Sequence, residues 1–156
     1  MALPEGERHE STVLVLEDDR SNLSSLERIF QREGMRVLTA ENGPDALELC
    51  RKHRVDVVVS DLMLPGMSGI ELVPQLLEIE PALAILMLTA VNDATTAALC
   101  LQRGASDYLL KPVDLEHLGR AIQRALLRRH TLLEDQRINR WLRDEVVLRS
   151  AELRLE

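Results

Sequence analysis

Two kinds of hydrophobic pattern alternate along the chain. Short unbroken apolar runs are followed by longer stretches with apolar residues three and four apart, and the pair recurs five times. The short runs are the size of strands and the longer stretches have helical periodicity. Strands are predicted at 12–16, 36–40, 55–60, 84–88 and 107–110. The first helix carries Leu23, Leu26, Ile29 and Phe30 on one face, with Ser21 or Asn22 as its cap and Gly34 as its stop. The second has Pro44 in its first turn and buries Ala46, Leu47, Leu49 and Cys50. Ser68 and Glu71 have capping-box spacing and open a third helix through Ile79. Pro74 lies inside it and predicts a kink or an irregular first turn. A fourth helix runs over 93–103 and is closed by Gly104, and Asp114 caps a long last one.

Repeated strand–helix units imply right-handed crossovers and a parallel sheet covered on both faces, an α/β fold. The centre of that sheet is the run Val55, Asp56, Val57, Val58, Val59, nearly all β-branched, as suits a strand buried on both sides. It ends in Ser60-Asp61, and Leu62-Met63-Leu64-Pro65-Gly66 turns the chain away. A carboxylate is thus presented at the carboxyl end of a central strand, where open α/β sheets place their ligands.

The other strand ends supply its company. The first delivers Glu17 and Asp18, the fourth Thr89 and the fifth Lys111, and parallel strands bring these to one edge. Clustered carboxylates repel one another, and a divalent cation relieves the repulsion. All-oxygen donors suit Mg²⁺, which retains several waters and takes one or two protein carboxylates. With Lys111 as an ammonium and Thr89 as a hydroxyl donor, the edge could support a phosphoryl group on Asp61, an acyl phosphate.

Composition narrows the setting. A chain of 156 residues with 46% hydrophobic and 29% charged residues suits a globular domain with some excess. Aromatics are only 2%, so the core must be aliphatic. The net charge of −7 disfavours nonspecific nucleic-acid binding. It resides in residues 1–127, at −8, while 128–156 carries +1 with alternating signs. No stretch has the length of a membrane span, and residues 1–10 read as a polar mobile tail. Cys50 and Cys100 sit on apolar helical faces and read as buried free thiols of a reducing cytoplasm. The four histidines, scattered among polar neighbours, read as surface residues, and Asp56 and Asp107 as solvated strand openers.

Five motifs in order resemble the receiver domain of two-component response regulators, over about 11–129. They are Val15-Leu16-Glu17-Asp18-Asp19, Ser60-Asp61-Leu62-Met63-Leu64-Pro65-Gly66-Met67-Ser68-Gly69, Leu88-Thr89-Ala90, Gly104-Ala105-Ser106-Asp107-Tyr108, and Lys111-Pro112. The resemblance implies a flavodoxin-like doubly wound sheet of order 2-1-3-4-5. It implies that Asp61 accepts a phosphoryl group from a histidine kinase or phosphotransfer protein. Glu17 and Asp18 would hold Mg²⁺ with Asp61 and the Met63 carbonyl. Thr89 and Lys111 would contact the phosphoryl oxygens, and the Lys111–Pro112 bond would be cis. Thr89 moving toward the phosphate, with Tyr108 turning inward behind it, would alter the surface of the fourth helix, fifth strand and fifth helix. Such a protein is a switch, not an enzyme for external substrates. In this family, residues two after the phosphoacceptor and two after the threonine tune hydrolysis. Here these are the apolar Met63 and Val91, which implies a slowly hydrolysing phospho-aspartate.

Plainer readings stand beside these. Asp19 reads as a helix-capping aspartate, Thr89 taken alone as another cap, and Tyr108 equally as switch or as packing. A flavin or nucleotide binder would need a Gly/Ser/Thr-rich loop where Glu17-Asp18-Asp19 stands. An Asp-nucleophile phosphohydrolase would need a second acid where Leu62-Met63-Leu64 offers none. An inactive receiver kept for protein interaction would not need all five parts.

Beyond 129 the helical pattern continues as a linker over 130–156. Leu118, Ala125, Leu132, Asn139, Val146 and Leu153 recur every seven residues, which reads either as a coiled-coil seam or as a solvated connector. The ending resembles connectors to downstream enzymatic domains, so an output domain is expected beyond the sequence. Homodimers through this helix, or through the fourth helix, fifth strand and fifth helix, are the expected assemblies.

Overall fold

A computed structural model gives the architecture and describes residues 10–154, with side chains to residue 148. The tail expected at 1–10 falls, apart from Glu10, outside the described residues, as does the side chain of Leu153. Ten elements alternate: β1 (Thr12–Leu16), α1 (Arg20–Arg32), β2 (Arg36–Ala40), α2 (Gly43–Lys52), β3 (Val57–Ser60), α3 (Gly69–Ile79), β4 (Ala84–Thr89), α4 (Ala94–Arg103), β5 (Asp107–Leu110) and α5 (Leu115–Arg154). The strands form one parallel sheet in the order β2-β1-β3-β4-β5. This is the flavodoxin-like α/β arrangement expected from the sequence.

Strand alternation divides the core in two. Leu14, Leu16, Val58, Ile85 and Met87 face one way and join Ala46, Leu47, Leu72, Leu76 and Cys100 from α2, α3 and α4. Val13, Val15, Val57, Val59 and Leu86 face the other way and join Phe30 of α1 with Leu118, Ala121, Ile122 and Ala125 of α5. Every residue of β1, β3 and β4 is buried, so these central strands read as unbroken apolar runs. The edge strands β2 and β5 are only partly covered.

The helix boundaries follow local chemistry, with some departures from expectation. Asp19 is the N-cap of α1, which bears out its reading as a capping aspartate and not the cap expected at Ser21 or Asn22. Its carboxylate accepts from the amides of both Ser21 and Asn22, at 2.9 and 3.1 Å. The caps of α2, α3 and α4 are Asn42, Ser68 and Asp93. Helix α3 runs through Pro74 as one element, the ring leaving the Ile70 carbonyl without its i+4 donor. Gly104 closes α4 with φ +117°, a left-handed conformation that a Cβ would strain, and that Cβ would also collide with Leu77. Asp114 caps α5 through the His117 amide at 2.7 Å.

Candidate functional site

The carboxyl ends of β1, β3, β4 and β5 place their terminal side chains at one edge. Strand registry is the cause: the Asp61 amide bonds the Leu16 carbonyl at 3.0 Å, and the Lys111 amide bonds the Thr89 carbonyl at 2.8 Å. Asp61 is thereby level with the end of β1, and Lys111 with the end of β4. The Lys111 ammonium lies 3.1 Å from Glu17 Oε2 and 3.1 Å from Asp61 Oδ2. One cation thus joins residues 94 and 50 positions away.

The other carboxylate oxygens are also engaged. Asp61 Oδ1 accepts from the Met63 amide at 3.2 Å, and Glu17 Oε1 accepts from the Asp19 amide at 3.3 Å. The loop after Asp61 is held by the start of α3. There the Gly69 amide donates to the Leu62 carbonyl at 2.7 Å, and a Cβ on Gly69 would sit 3.0 Å from the Asp61 carbonyl oxygen. That close approach is why a glycine stands at this position.

The electrostatics follow from these contacts. Burial pushes the Asp61 carboxyl up, but the Lys111 hydrogen bond, the Met63 amide, the Lys111 charge and the Thr89 hydroxyl outweigh it, leaving its pKa below the ordinary value. Burial likewise pushes Lys111 down, and its bonds to Asp61 and Glu17 carry it above the ordinary value. Asp61 is therefore an ionised carboxylate beside a permanent cation, as a nucleophilic oxygen must be.

Of the residues expected here, Glu17, Asp61, Thr89 and Lys111 are brought together. Thr89 is buried, and its Oγ1 accepts from the Val91 amide at 3.3 Å, which leaves its proton to donate toward Asp61. Asp18 lies exposed at the same edge, its carboxylate without a hydrogen bond or ion pair among the described residues. Among the described residues no group of three or more His, Cys, Asp and Glu side chains is placed to hold a metal ion. The oxygens of Glu17, Asp18 and Asp61 nonetheless suit an ion that keeps most of its water. The Met63 side chain is 66% exposed, and at Asp61 it is the Met63 amide that makes contact. The Lys111–Pro112 bond is cis, as expected. The Tyr108 hydroxyl donates to the Val91 carbonyl at 2.6 Å.

This edge matches a known family. The model of the response regulator receiver domain fits residues 13–123, well over half of the chain. The chain belongs to the response regulator receiver family. Receivers are signalling domains, and response regulators take phosphoryl groups from histidine kinases. Two curated relatives contain this receiver. A cyclic di-GMP phosphodiesterase of Thermotoga maritima is 40% identical over 118 residues, which is 76% of this chain and 32% of that protein. The transcriptional regulatory protein AfsQ1 of Streptomyces coelicolor is 42% identical over 118 residues, 76% of this chain and 52% of that protein. The chain thus spans about a third to a half of these relatives. A solved receiver domain from Clostridium thermocellum superposes with a TM-score of 0.74 at 31% identity, covering 78% of this chain and 98% of that one. Since one relative is named a transcriptional regulator, the charge argument against nucleic acid reaches no further than the residues present here. No helix among the described residues is long and apolar enough to cross a membrane.

Sequence reasoning missed the other end of β3. Asp56, expected to be solvated, is half-buried: its Oδ2 accepts from the Thr12 amide at 2.8 Å and its Oδ1 from Arg129 Nε at 3.2 Å. Arg129, at the end of the stretch assigned to the receiver, is only 6% exposed. The available signal was its position four residues after Ala125, on the face of α5 that meets the sheet. Asp107 is half-buried and pairs with Arg124 at 3.3 Å. His53 is half-buried, not a surface residue, whereas His117 and His130 are exposed.

Proposed function

We propose that the chain is a phosphorylation-controlled switch in which Asp61 accepts a phosphoryl group from a histidine kinase or a phosphotransfer protein. The observation that carries this reading is Lys111, set 3.1 Å from both Glu17 and Asp61 where the strands end. An Asp61 oxygen attacks phosphorus, the bond from phosphorus to the donor histidine breaks, and that nitrogen leaves with the bonding pair. Lys111 and the Thr89 hydroxyl stabilise the charge on the phosphoryl oxygens, and the Met63 amide keeps the carboxylate oriented.

Mg²⁺ is the cofactor we assign, with Asp18, Asp61 and the Met63 carbonyl as ligands and Glu17 beside them. When bound, it supplies charge neutralisation for the transferring group. The fully engaged Glu17 and the unpartnered Asp18 support a division of labour, one carboxylate fixing Lys111 and the other free for the ion.

In this reading Thr89 and Tyr108 carry the change to the α4-β5-α5 surface. Residues 11–129 are the receiver and 130–156 the linker toward an output domain. The protein catalyses its own phosphoryl transfer and dephosphorylation, acts in the cytoplasm, and pairs with a second copy through α5 or α4-β5-α5. Intact mass after incubation with acetyl phosphate and Mg²⁺ tests the chemistry. The chain should gain one phosphoryl group and the Asp61→Asn variant none. Equal labelling of both, or no labelling by acetyl phosphate and by a phosphorylated kinase alike, would overturn it.

A further inference from the structure

The most buried ion pair away from the phosphoacceptor lies at the opposite edge of the sheet, and its cation belongs to the last helix. Arg129 reaches inward from α5, with Nε 3.2 Å from Asp56 Oδ1 and Nη1 3.6 Å from Glu80 Oε1. Nη1 is buried and makes no hydrogen bond, so the contact to Glu80 is an ion pair only half formed. Both anionic partners sit on segments that lead to Asp61. Asp56 immediately precedes β3, which ends at Ser60 beside the phosphoacceptor. Glu80 is the C-cap of α3, whose first residue, Gly69, bonds the loop after Asp61. Asp56 is itself fixed to β1 through the Thr12 amide, so it is a rigid anchor.

On α5, Leu118, Ala121, Ile122 and Ala125 are buried against the sheet, and Arg129 continues that face. Past it the helix leaves the domain: Leu132 is 41% and Trp141 61% exposed. Arg129 is therefore the last fully buried side chain of α5 among the described residues. It also decides which way the linker turns, because at 100° per residue Leu127, 57% exposed, lies on the opposite side of the helix.

We infer that Arg129 is a positioning residue, a latch that fixes the direction and rotation of the linker helix against the base of the central strand. Asp56 is its permanent hold and Glu80 its adjustable one. The reading is independent of the phosphoryl chemistry, because it concerns groups at the other edge of the sheet.

The test measures hydrogen exchange of the amides over 126–140 and fluorescence anisotropy decay of Trp141, the chain's only tryptophan, in the full chain. Arg129→Gln should speed exchange in that segment about tenfold and shorten the anisotropy decay, with acetyl phosphate labelling of Asp61 unchanged. Asp56→Asn removes the main hold from the other side while Glu80 remains, should free the helix in the same sense but by no more than Arg129→Gln does, and combined with Arg129→Gln should add nothing further. Leu47→Ala, a buried residue of α2 remote from α5, lowers stability without touching the latch and should leave the linker's exchange and anisotropy as in the parent. Unchanged anisotropy in both latch variants, additive effects of the two, or an equal loosening by Leu47→Ala would overturn the assignment.

Discussion

The Tyr108 hydroxyl lies 2.6 Å from the Val91 carbonyl oxygen, so a side chain of β5 holds the loop that leaves β4. Thr89, the last residue of β4, holds the same loop, its Oγ1 accepting from the Val91 amide. Val91 is therefore bonded on both sides, by Thr89 through its amide and by Tyr108 through its carbonyl. For Tyr108, which the sequence left open between switch and packing, the contact is a tether to the loop after β4. Tyr108→Phe should cost about 1 kcal/mol by urea unfolding, the net value of one hydrogen bond, with the ring still packed. It should also raise amide exchange at 90–93. An unchanged exchange rate there would mean that the hydroxyl does not tether the loop.

Most of the fold was legible in the sequence, because the central strands are buried on both faces and leave uninterrupted runs such as Val57-Val58-Val59. The acidic edge was legible for a related reason: Glu17, Asp61 and Lys111 each follow directly on a strand, Thr89 ends one, and parallel pairing brings them together. The Asp56–Arg129 pair was not. It joins residues 73 apart, and an arginine within a mixed-charge helix looks solvated until the helix is seen against the sheet. The heptad series is divided by the fold. Leu118 and Ala125 are covered by the domain's own sheet, at 1% and 4% exposure, whereas Leu132 and Val146 are exposed at 41% and 64%. Periodicity reports that a face is buried and is silent on what buries it.

Lys111 offers a pH test of the acidic edge. Asp61 has a lowered pKa in the fold, so its contribution to stability is present above the unfolded carboxylate value of about 3.9 and is lost as pH falls through the folded value. Lys111 has a raised pKa, so its contribution is present below about 10.4 and is lost as pH rises through the folded value. The pair is thus fully effective across neutral pH. Lys111→Met, measured in EDTA, should lose about 3 kcal/mol at pH 7, because Glu17 and Asp61 are left facing each other without a cation. The deficit should shrink as the medium is acidified and the carboxylates protonate. A deficit independent of pH would show that lost packing is responsible.

Cys50 opens onto a cavity of about 80 Å³ lined by His53, Arg54, Ile79, Glu80 and Arg129. Burial raises its thiol pKa from 9.0 to about 11 despite the arginines nearby. At pH 8 that reduces the thiolate about a hundredfold, and the thiolate is the reactive form. Burial raises the Cys100 thiol as well. Both cysteines are free, so iodoacetamide should label the native protein slowly and the urea-unfolded protein rapidly at two sites. Rapid labelling of Cys50 in the native state would mean that the cavity opens on the labelling timescale.

The lifetime of the phosphorylated state depends on whether a side chain can orient water in line with the acyl phosphate. Met63 projects from the Asp61 loop with 66% of its surface exposed, and Val91 lies half-buried beyond Thr89. Neither side chain carries a donor or acceptor suited to aligning water, and catalysis by alignment needs a polar group within hydrogen-bond reach. The phospho-aspartate should therefore persist for minutes or longer, as judged by loss of label after removal of the phosphodonor. Met63→Asn combined with Val91→Glu introduces an amide and a carboxylate at these positions and should speed that loss at least about tenfold, the lower range for a positioned acid–base group being about a hundredfold. The Met63 side chain is on the solvent side of the loop, so stability should change by less than about 0.5 kcal/mol for Met63→Asn alone. A parent lifetime of seconds, or a double variant no faster than the parent, would show that water reaches phosphorus without help from these two positions.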